Sequence, residues 1–222
     1  MRNELHWRSK ITVKTETRSI AIRKLSLADI PEMLMVEKLA WPDSKQQFSK
    51  ENFKSQLRIF SNGCFGIYVD GKLAGMLNGL ILSKSVFFKK DYSWYSLTDN
   101  GNFKSHNGKG KIFFVGSLSV NPAYQGLGLG KLLLEKAKSF VISNRLESVM
   151  LGSRIPDYKK FKSRYTPIQY LNKYKKHELS DWLLRFYENA KFKPKSVIPN
   201  YFYDPDSSNA GVLMIWDNKD SK

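Results

Sequence analysis

The sequence is poor in the residues that cross-link a chain or hold a metal ion. Its 222 residues include one cysteine, Cys64, and three histidines, His6, His106 and His177, which are far apart. A single cysteine excludes an internal disulfide and a cysteine metal cluster. The scattered histidines lack the close spacing of known metal sites. We therefore expect no metal site, and we expect Cys64, which lies in an apolar run, to be a small core residue.

The sequence also lacks a long apolar segment. No run approaches the roughly 20 apolar residues that a membrane-spanning helix needs. Residues 1–10 are charged and contain no apolar stretch of the kind found in secretory signals. Hydrophobic residues nevertheless make up 41% of the chain, which is enough for a sizeable core. These features favour a cytoplasmic protein that has no membrane partner.

Acidic residues are few relative to basic ones. Lysine and arginine total 37 against 20 aspartates and glutamates, which gives a formal net charge of +17 at pH 7. A charge of that size attracts polyanions. It exceeds what one anionic cofactor needs, so the excess is either a solvated basic surface or a nucleic-acid groove, and both interpretations stay open.

The strongest local pattern joins a strand, a glycine-rich loop and a helix. The apolar run Ile112–Val120 predicts a buried strand, and an apolar face that includes Leu133 and Ala137 predicts a helix after residue 130. Between them stands Gln-Gly-Leu-Gly-Leu-Gly, at residues 125–130. Glycines let a backbone approach a ligand closely, and free N–H groups at a helix start bind anions. The segment is therefore a candidate phosphate-binding loop.

Two common phosphate loops do not fit this segment. A Walker A loop ends in Gly-Lys-Ser/Thr, but Lys131 is followed by Leu132, which has no hydroxyl to hold magnesium. A dinucleotide-binding fold places its glycines in the first βαβ unit, with an acidic residue at the end of the next strand. Here the glycines lie past the middle of the chain, and Glu147 precedes the next strand-like run.

The order of strand, Gln-x-x-Gly-x-Gly and helix resembles the acyl-CoA-binding motif of the GNAT superfamily of N-acetyltransferases. The pattern of that family is Arg/Gln-x-x-Gly-x-Gly/Ala, and Gln125, Gly128 and Gly130 match it. A second similarity lies at residues 186–192, FYENAKF, which resembles a Phe-Tyr-Glu-x-x-Gly-Phe segment of the family. Lys191 stands there in place of the usual glycine.

The resemblance implies an α/β (α+β) fold. That fold is a mixed, mostly antiparallel sheet of about seven strands flanked by helices, in which the fourth and fifth strands splay apart and admit the cofactor. We predict a single acetyltransferase domain at residues 19–217, after an N-terminal extension or edge strand at residues 1–18 and before a tail at residues 218–222. Two insertions, residues 83–111 and 154–177, lie where the family builds its acceptor pocket; they are called the first and second long segments below.

The resemblance also implies a reaction, in which acetyl-CoA donates its acetyl group to an acceptor by direct attack in a ternary complex. We predict a primary amine as the acceptor. The cofactor would contact Leu118, Ser119, Val120, Gln125, Gly126, Leu127, Gly128, Leu129, Gly130 and Lys131. In the family the strand residues pair with the pantetheine arm, and a bulge there would free an N–H group for the carbonyl oxygen.

Catalysis needs an acid and a way to deprotonate the amine. By resemblance, Tyr187 is the candidate general acid, because a tyrosine is protonated at neutral pH. The predicted fourth strand contains no Asp, Glu or His. The candidate bases lie elsewhere and are Glu37, Asp157 and His177. A water oriented by Ser117 or Ser119 is a further route.

Two other functions remain open. Lysines alternate with aromatic residues in the two long segments, which is also typical of a nucleic-acid-binding module. The absence of a carboxylate on the predicted fourth strand also permits a non-catalytic acyl-CoA sensor. The partner would be a small-molecule or macromolecular amine, with a nucleic acid or ribosomal surface favoured by the charge of +17. The sequence allows a monomer or a homodimer.

Overall fold

The computed structural model describes residues 7–13, 16–89 and 91–219, and within them eight strands form one sheet. The strands are β1 (Trp7–Val13), β2 (Glu16–Lys24), β3 (Cys64–Val69), β4 (Lys72–Leu82), β5 (Ile112–Val120), β6 (Ser148–Ser153), β7 (Lys193–Ile198) and β8 (Gly211–Asp217). Their order across the sheet is β1-β2-β3-β4-β5-β6-β8-β7. Only β5 and β6 pair in parallel among these strands.

Within the described residues, six α-helices cover the two faces of the sheet. They are α1 (Ile30–Ala40), α2 (Lys50–Phe60), α3 (Trp94–Thr98), α4 (Leu129–Ser143), α5 (Pro167–Lys175) and α6 (Trp182–Asn189). The buried residues of α4, α5 and α6 belong to one hydrophobic core. Those of α1, α2 and α3 belong to two smaller clusters on the opposite face. The predicted fold class, a mixed and mostly antiparallel sheet with flanking helices, is confirmed.

The two ends of the chain are described in part. Of the predicted N-terminal segment, residues 1–6, 14 and 15 lie outside the described residues, and strand β1 pairs antiparallel with β2. Residues 220–222 of the predicted tail also lie outside them. The described sheet therefore has eight strands where the sequence predicted about seven, and β1 is the edge strand that the sequence had left open.

The two long segments contain helices that the hydrophobic pattern did not indicate. Ser93 caps α3 and Thr166 caps α5, each by accepting a hydrogen bond from a main-chain N–H in the first turn. These helices have 5 and 9 residues, which is too short for a clear helical period. Aromatic residues of both segments, such as Phe103 and Tyr170, are fully buried. The segments are therefore packed parts of the fold.

Strands β5 and β6 part soon after they begin. Their parallel pairing starts at Ile112 with Ser148 and ends at Phe114 with Met150. The second half of β5 thus has β4 as its only strand neighbour in the described sheet. Successive residues of a strand direct their N–H and C=O groups to alternate sides. Half of the main-chain groups in this part of β5 therefore face the gap, at the place where the predicted splay lies.

The ring of Tyr201 fills the space beside β6. A Cβ atom added to Gly152 would lie 2.0 Å from Cζ of Tyr201, and one added to Gly211 would lie 2.5 Å from Cδ1 of the same ring. Tyr201 is 3% exposed and accepts a hydrogen bond at its carbonyl from the N–H of Trp94. The absence of side chains at these two glycines on β6 and β8 is what lets the tyrosine pack there.

We predict that Gly152→Ala destabilises the protein by about 1–3 kcal/mol, because the added methyl overlaps the Tyr201 ring in a packed interior. Gly108→Ala is the matched control, since a Cβ added there would lie 4.0 Å from Nε2 of His106. Urea unfolding of both variants measures the difference. Equal stability of the two variants would show that the Tyr201 ring moves freely to make room for the methyl group.

Candidate active site

The gap between β5 and β6 opens into a cavity of about 220 Å³. Residues of α1, β5, β6, α6 and the loop between β7 and β8 line it. Seven of the lining side chains are aromatic: Trp41, Phe48, Trp94, Trp182, Tyr187, Tyr201 and Phe202. The charged residues among those that line it are Glu37 and Arg154. Aromatic rings thus make up a third of the lining residues, beside one acidic and one basic group.

A bulge on β5 decides which side chains face this cavity. Asn78 pairs with Ser117 and Gly79 with Val115, so Gly116 is an extra residue on β5. The insertion shifts the alternation of the strand by one. Val115 belongs to the core on the α4 face, whereas Ser117 and Ser119 lie on the α1 face. The bulge that the resemblance implied near residues 118–120 lies at Gly116 instead, and residues 118–120 pair with β4 in regular register.

Glu37 is buried against the two serines of β5. Its side chain is 1% exposed, and its Oε1 accepts a hydrogen bond from the main-chain N–H of Phe48 over 3.1 Å. Oε2 accepts from Oγ of Ser119 over 3.0 Å. Ser119 Oγ also accepts from Nε1 of Trp41 over 2.9 Å and lies 3.3 Å from Oγ of Ser117. A chain of hydroxyls therefore leads from the half-buried Ser117 to the carboxylate.

The environment of Glu37 changes its proton affinity. Burial raises the pKa of its carboxyl to about 7, because the charged form loses its hydration, and the hydrogen bonds from Phe48 and Ser119 offset only part of this effect. No ion pair joins Glu37 to a cation within the described part of the chain. A carboxyl with this pKa can accept and release a proton near neutral pH.

The other two candidate bases lie elsewhere. Asp157 accepts a hydrogen bond from the N–H of Trp182 at the start of α6 and pairs with Lys160. His177 lines a separate cavity beside α5 and α6. Neither residue is among those that line the cavity between β5 and β6. Of the three bases that the sequence left open, the cavity contains Glu37.

The glycine-rich loop presents a run of free main-chain donors. Residues 126–131 connect β5 to the first turn of α4, and their N–H groups have no hydrogen-bond partner among the described residues. A helix start by itself leaves four such groups free. The loop adds to them, and the helix dipole favours an anion at this position. The arrangement is that of a phosphate-binding loop.

Two glycines of this loop have backbone angles that other residues rarely adopt. Gly126 has φ of +83° and Gly128 has φ of +75°, and a Cβ added to either would meet no atom within 4 Å. There is space for a side chain at both positions. The positive φ angle, and not a lack of space, is therefore what favours glycine there. At Gly130 an added Cβ would lie 3.0 Å from Cζ of Phe186, so this glycine lets α4 approach α6.

The structure separates the ten predicted cofactor contacts into two groups. Four of them line the cavity: Leu118, Ser119, Val120 and Gln125. The other six, residues 126–131, are not among the lining residues and follow Gln125 directly in the chain. Gln125 donates from Nε2 to the carbonyl of Val120 over 3.4 Å. Lys131 is exposed in the first turn of α4. Ser119 is 1% exposed, so its hydroxyl is committed to Glu37 and Trp41.

Tyr187, the candidate acid, lines the cavity from α6. It is 8% exposed, and its hydroxyl has no hydrogen-bond partner in the described part of the chain. Burial raises the pKa of this tyrosine, and the positive charge of Arg154 offsets a small part of the increase. The hydroxyl therefore stays protonated and is available to donate a hydrogen bond.

Two residues that the sequence analysis did not single out are central to the cavity. Trp41 follows α1 and donates to Ser119, and Arg154 follows β6, with its Cζ 5.3 Å from the centre of the Trp41 ring. The signal for Arg154 was its place directly after the end of a buried strand. Trp41 had no signal, because its partners are distant in sequence.

The described residues show neither a metal centre nor a membrane-spanning helix. They contain no group of three or more His, Cys, Asp or Glu side chains arranged to hold a metal ion. No helix in the described ranges is long and apolar enough to cross a membrane.

Comparisons with known proteins agree with this geometry. A model of the acetyltransferase (GNAT) family matches residues 32–160. YkwB of Bacillus subtilis, an uncharacterised N-acetyltransferase, is 30% identical over 203 residues, which are 90% of this chain and 89% of YkwB.

Two solved structures share the fold. One is the loading GNATL domain of CurA from Lyngbya majuscula, with TM-score 0.74, 18% identity and coverage of 89% of this chain and 97% of that domain. The other is the GNAT-like decarboxylase GphF in complex with isobutyryl-CoA, with TM-score 0.73, 21% identity and coverage of 88% and 98%. The glycine-rich loop after β5, the parted strands and the family match together show that this chain belongs to the GNAT acetyltransferase family.

Proposed function

We propose that this protein transfers the acetyl group of acetyl-CoA to a primary amine by direct attack in a ternary complex. The observation that carries the proposal is the run of unpartnered N–H groups at residues 126–131, which adjoins a cavity that holds a protonatable carboxyl and a free tyrosine hydroxyl. Acetyl-CoA supplies the activated acetyl group. The residues of this chain bind the donor, exclude water and move protons.

The donor fits the loop on chemical grounds. The pyrophosphate of coenzyme A is an anion that takes several N–H donors, and residues 126–131 offer six in sequence. The part of β5 that faces the gap offers main-chain groups to the amide-containing pantetheine arm. GphF, which shares the fold, is described with isobutyryl-CoA, and this supports an acyl-CoA ligand here.

Glu37 is the proposed base, and it acts through the two serines of β5. Glu37 and Ser119 are each 1% exposed, so an acceptor amine reaches Ser117 first. The proton passes from the amine to Ser117 as Ser117 gives its own to Ser119 and Ser119 gives its own to Glu37. The hydrogen bonds of 3.3 and 3.0 Å already join the three side chains.

Tyr187 is the proposed general acid for the departing sulfur. Its hydroxyl is protonated, uncommitted and inside the cavity. A donor at this position stabilises the negative charge that develops on the thiolate. Arg154 lies close enough to act on the pKa of Tyr187. Its positive guanidinium therefore also favours the negative charge that develops on the thiolate.

The two alternative functions gain less support. Of the eleven aromatic residues in the long segments two, Phe88 and Tyr95, are exposed, and Tyr158, Tyr170 and Tyr174 are each at 5% exposure or less, whereas stacking on bases needs exposed rings. A sensor without catalysis needs no protonatable group, yet Glu37 and Tyr187 both line the cavity. The acetyltransferase proposal accounts for these side chains.

We predict that Gly128→Glu lowers the affinity for acetyl-CoA at least tenfold. The carboxylate repels the phosphates, and a side chain at φ +75° strains the loop. Gly71→Glu is the matched control, because Gly71 has φ of +80° and equally open surroundings in the turn between β3 and β4. Calorimetric titration with acetyl-CoA measures both. Equal affinities of the two variants would remove the loop from the donor site, and no binding to the wild type would overturn the proposed function.

We predict that kcat/KM of the wild type rises with pH through an apparent pKa of about 7, since Glu37 must be deprotonated to accept a proton. Glu37→Gln keeps the size of the side chain and one acceptor oxygen for the N–H of Phe48, but its NH2 group donates toward Ser119 and cannot accept the proton, so turnover should fall about 10²–10⁴-fold and lose this pH dependence. Glu51→Gln, on the exposed face of α2, is the control. A pH profile that Glu37→Gln leaves unchanged would exclude Glu37 as the base.

We predict that Tyr187→Phe lowers kcat at least tenfold and changes the dissociation constant of acetyl-CoA little. The variant removes a hydroxyl that has no partner within the described structure, so the packing of the ring is kept. Release of free thiol measures turnover, and calorimetry measures binding. An unchanged kcat would assign the tyrosine to packing alone. Tyr165→Phe, at a half-buried position just before α5, serves as the comparison.

A further inference from the structure

Arg154 brings a partly used guanidinium into the cavity. Its Nε donates to Oδ2 of Asp204 over 2.8 Å, and its Nη2 donates to Oδ1 over 3.0 Å. A guanidinium has five N–H donors. Both hydrogens of Nη1 and one of Nη2 therefore have no acceptor among the described residues. The side chain is 29% exposed and lines the cavity.

The way in which Asp204 binds decides which edge of Arg154 is free. Asp204 occupies the Nε and Nη2 edge, so the Nη1 and Nη2 edge remains open. That edge is a planar fork of parallel donors, and it matches the two oxygens of a carboxylate. Such bidentate pairs are among the strongest hydrogen bonds in proteins.

Asp204 is itself held firmly. It is 2% exposed, accepts from Oγ of Ser207, and donates its main-chain N–H to Oδ1 of Asn209 over 2.8 Å. Burial acts to raise the pKa of Asp204, but the hydrogen bonds from Arg154 and Ser207 outweigh it, and the pKa is lowered. The carboxylate therefore stays charged, and it fixes the guanidinium before any ligand arrives.

One indole joins this guanidinium to the proposed base. Cζ of Arg154 lies 5.3 Å from the centre of the Trp41 ring. Nε1 of the same ring donates to Ser119, which donates to Glu37. The open edge of Arg154 and the proton relay thus lie on two sides of Trp41, which is one of the seven aromatic residues that line the cavity.

We propose that Arg154 binds a carboxylate of the acceptor, so that the acceptor is an amino acid or a similar amine that carries a carboxylate and an apolar or aromatic body. This specificity rests on the proposed function, because it assigns the amine to the same cavity. The net charge of +17 also repels cationic acceptors that have no acidic group. Arg154 contacts the substrate away from the reacting amine and sets which amines bind.

A pair of matched probes tests the proposal without turnover. Phenylacetate and phenylacetamide differ in charge but hardly in shape. We titrate each into the protein, with and without saturating coenzyme A, and follow tryptophan fluorescence and heat. Wild-type protein should bind phenylacetate about tenfold more tightly or better, as expected for a charge-assisted pair. Arg154→Gln should remove this preference, and Arg164→Gln, at an exposed position, should keep it.

Two further variants separate recognition from folding. Arg154→Gln leaves the buried Asp204 unpaired, which costs stability. The double variant Arg154→Gln with Asp204→Asn removes both charges, so it should restore stability and still show no preference for phenylacetate. Arg154→Lys keeps the charge without the fork and should retain only part of the preference.

Turnover gives the second readout. Phenylalanine and phenylalaninamide are compared as acceptors, and the ratio of their kcat/KM values in wild type is divided by that in Arg154→Gln. This double ratio cancels the intrinsic reactivity of each amine. We expect it to be about ten, with the difference arising from KM and not from kcat.

Three results would overturn the proposal. The first is equal affinity of wild type for the two probes, and the second is a preference that survives in Arg154→Gln. The third is an Arg154→Gln variant that binds succinyl-CoA less tightly than the wild type does, while its affinities for acetyl-CoA and phenylacetate are unchanged. That result would assign the carboxylate to the acyl donor. If acetyl-CoA itself does not bind, the proposed function fails, and the titration without coenzyme A still decides the role of Arg154.

Discussion

The early end of pairing between β5 and β6 is the constraint on which the site depends. Three residue pairs hold the strands together, and after Phe114 they diverge. Tyr201 packs against Gly152 beyond that point, so the space beside β6 is filled by an aromatic ring from the loop before β8. A sheet normally pairs its main-chain groups. Here those of β5 that face the gap are left for a ligand, and the cavity occupies the same gap.

Gly116 converts this gap into a site with chemistry. Without the extra residue, Ser117 and Ser119 would lie on the face of β5 that carries Phe113 and Val115, within the hydrophobic core. The bulge turns both hydroxyls toward α1, where Glu37 lies. A glycine suits this position, because an added Cβ would lie 2.9 Å from the ring of Phe103. One inserted residue therefore connects the donor strand to the proposed base.

Features that lie within one stretch of the sequence could be predicted, whereas contacts between residues far apart in the sequence could not. The element order and the loop at residues 125–130 lie in one stretch, and their local patterns are strong, so the fold class could be predicted. Glu37 and Ser119 are 82 residues apart, and Arg154 and Asp204 are 50 apart. The first pair depends on the register of β4 with β5 and on a bulge, and the second depends on the path of the loop between β7 and β8. The hydrophobic pattern determines neither. An isolated glycine in an apolar strand, as at residue 116, was the available signal for the bulge.

Three buried carboxyls show why Glu37 stands out as a functional group. Burial acts to raise the pKa of Asp29, but a bidentate pair with Arg23 outweighs it and lowers the value to about 2. Asp181 is buried with a raised pKa, but its oxygens accept hydrogen bonds at the start of α6 and it does not line the cavity. Glu37 alone among the three combines a pKa of about 7 with a hydroxyl path into the cavity. Arg154 meanwhile has its own carboxylate in Asp204, so it does not hold Glu37 in the charged state. Because the cation of the cavity is kept away from its carboxyl, the two groups are suited to the separate roles proposed for them, Arg154 as the anion-binding group and Glu37 as the group that exchanges a proton near neutral pH.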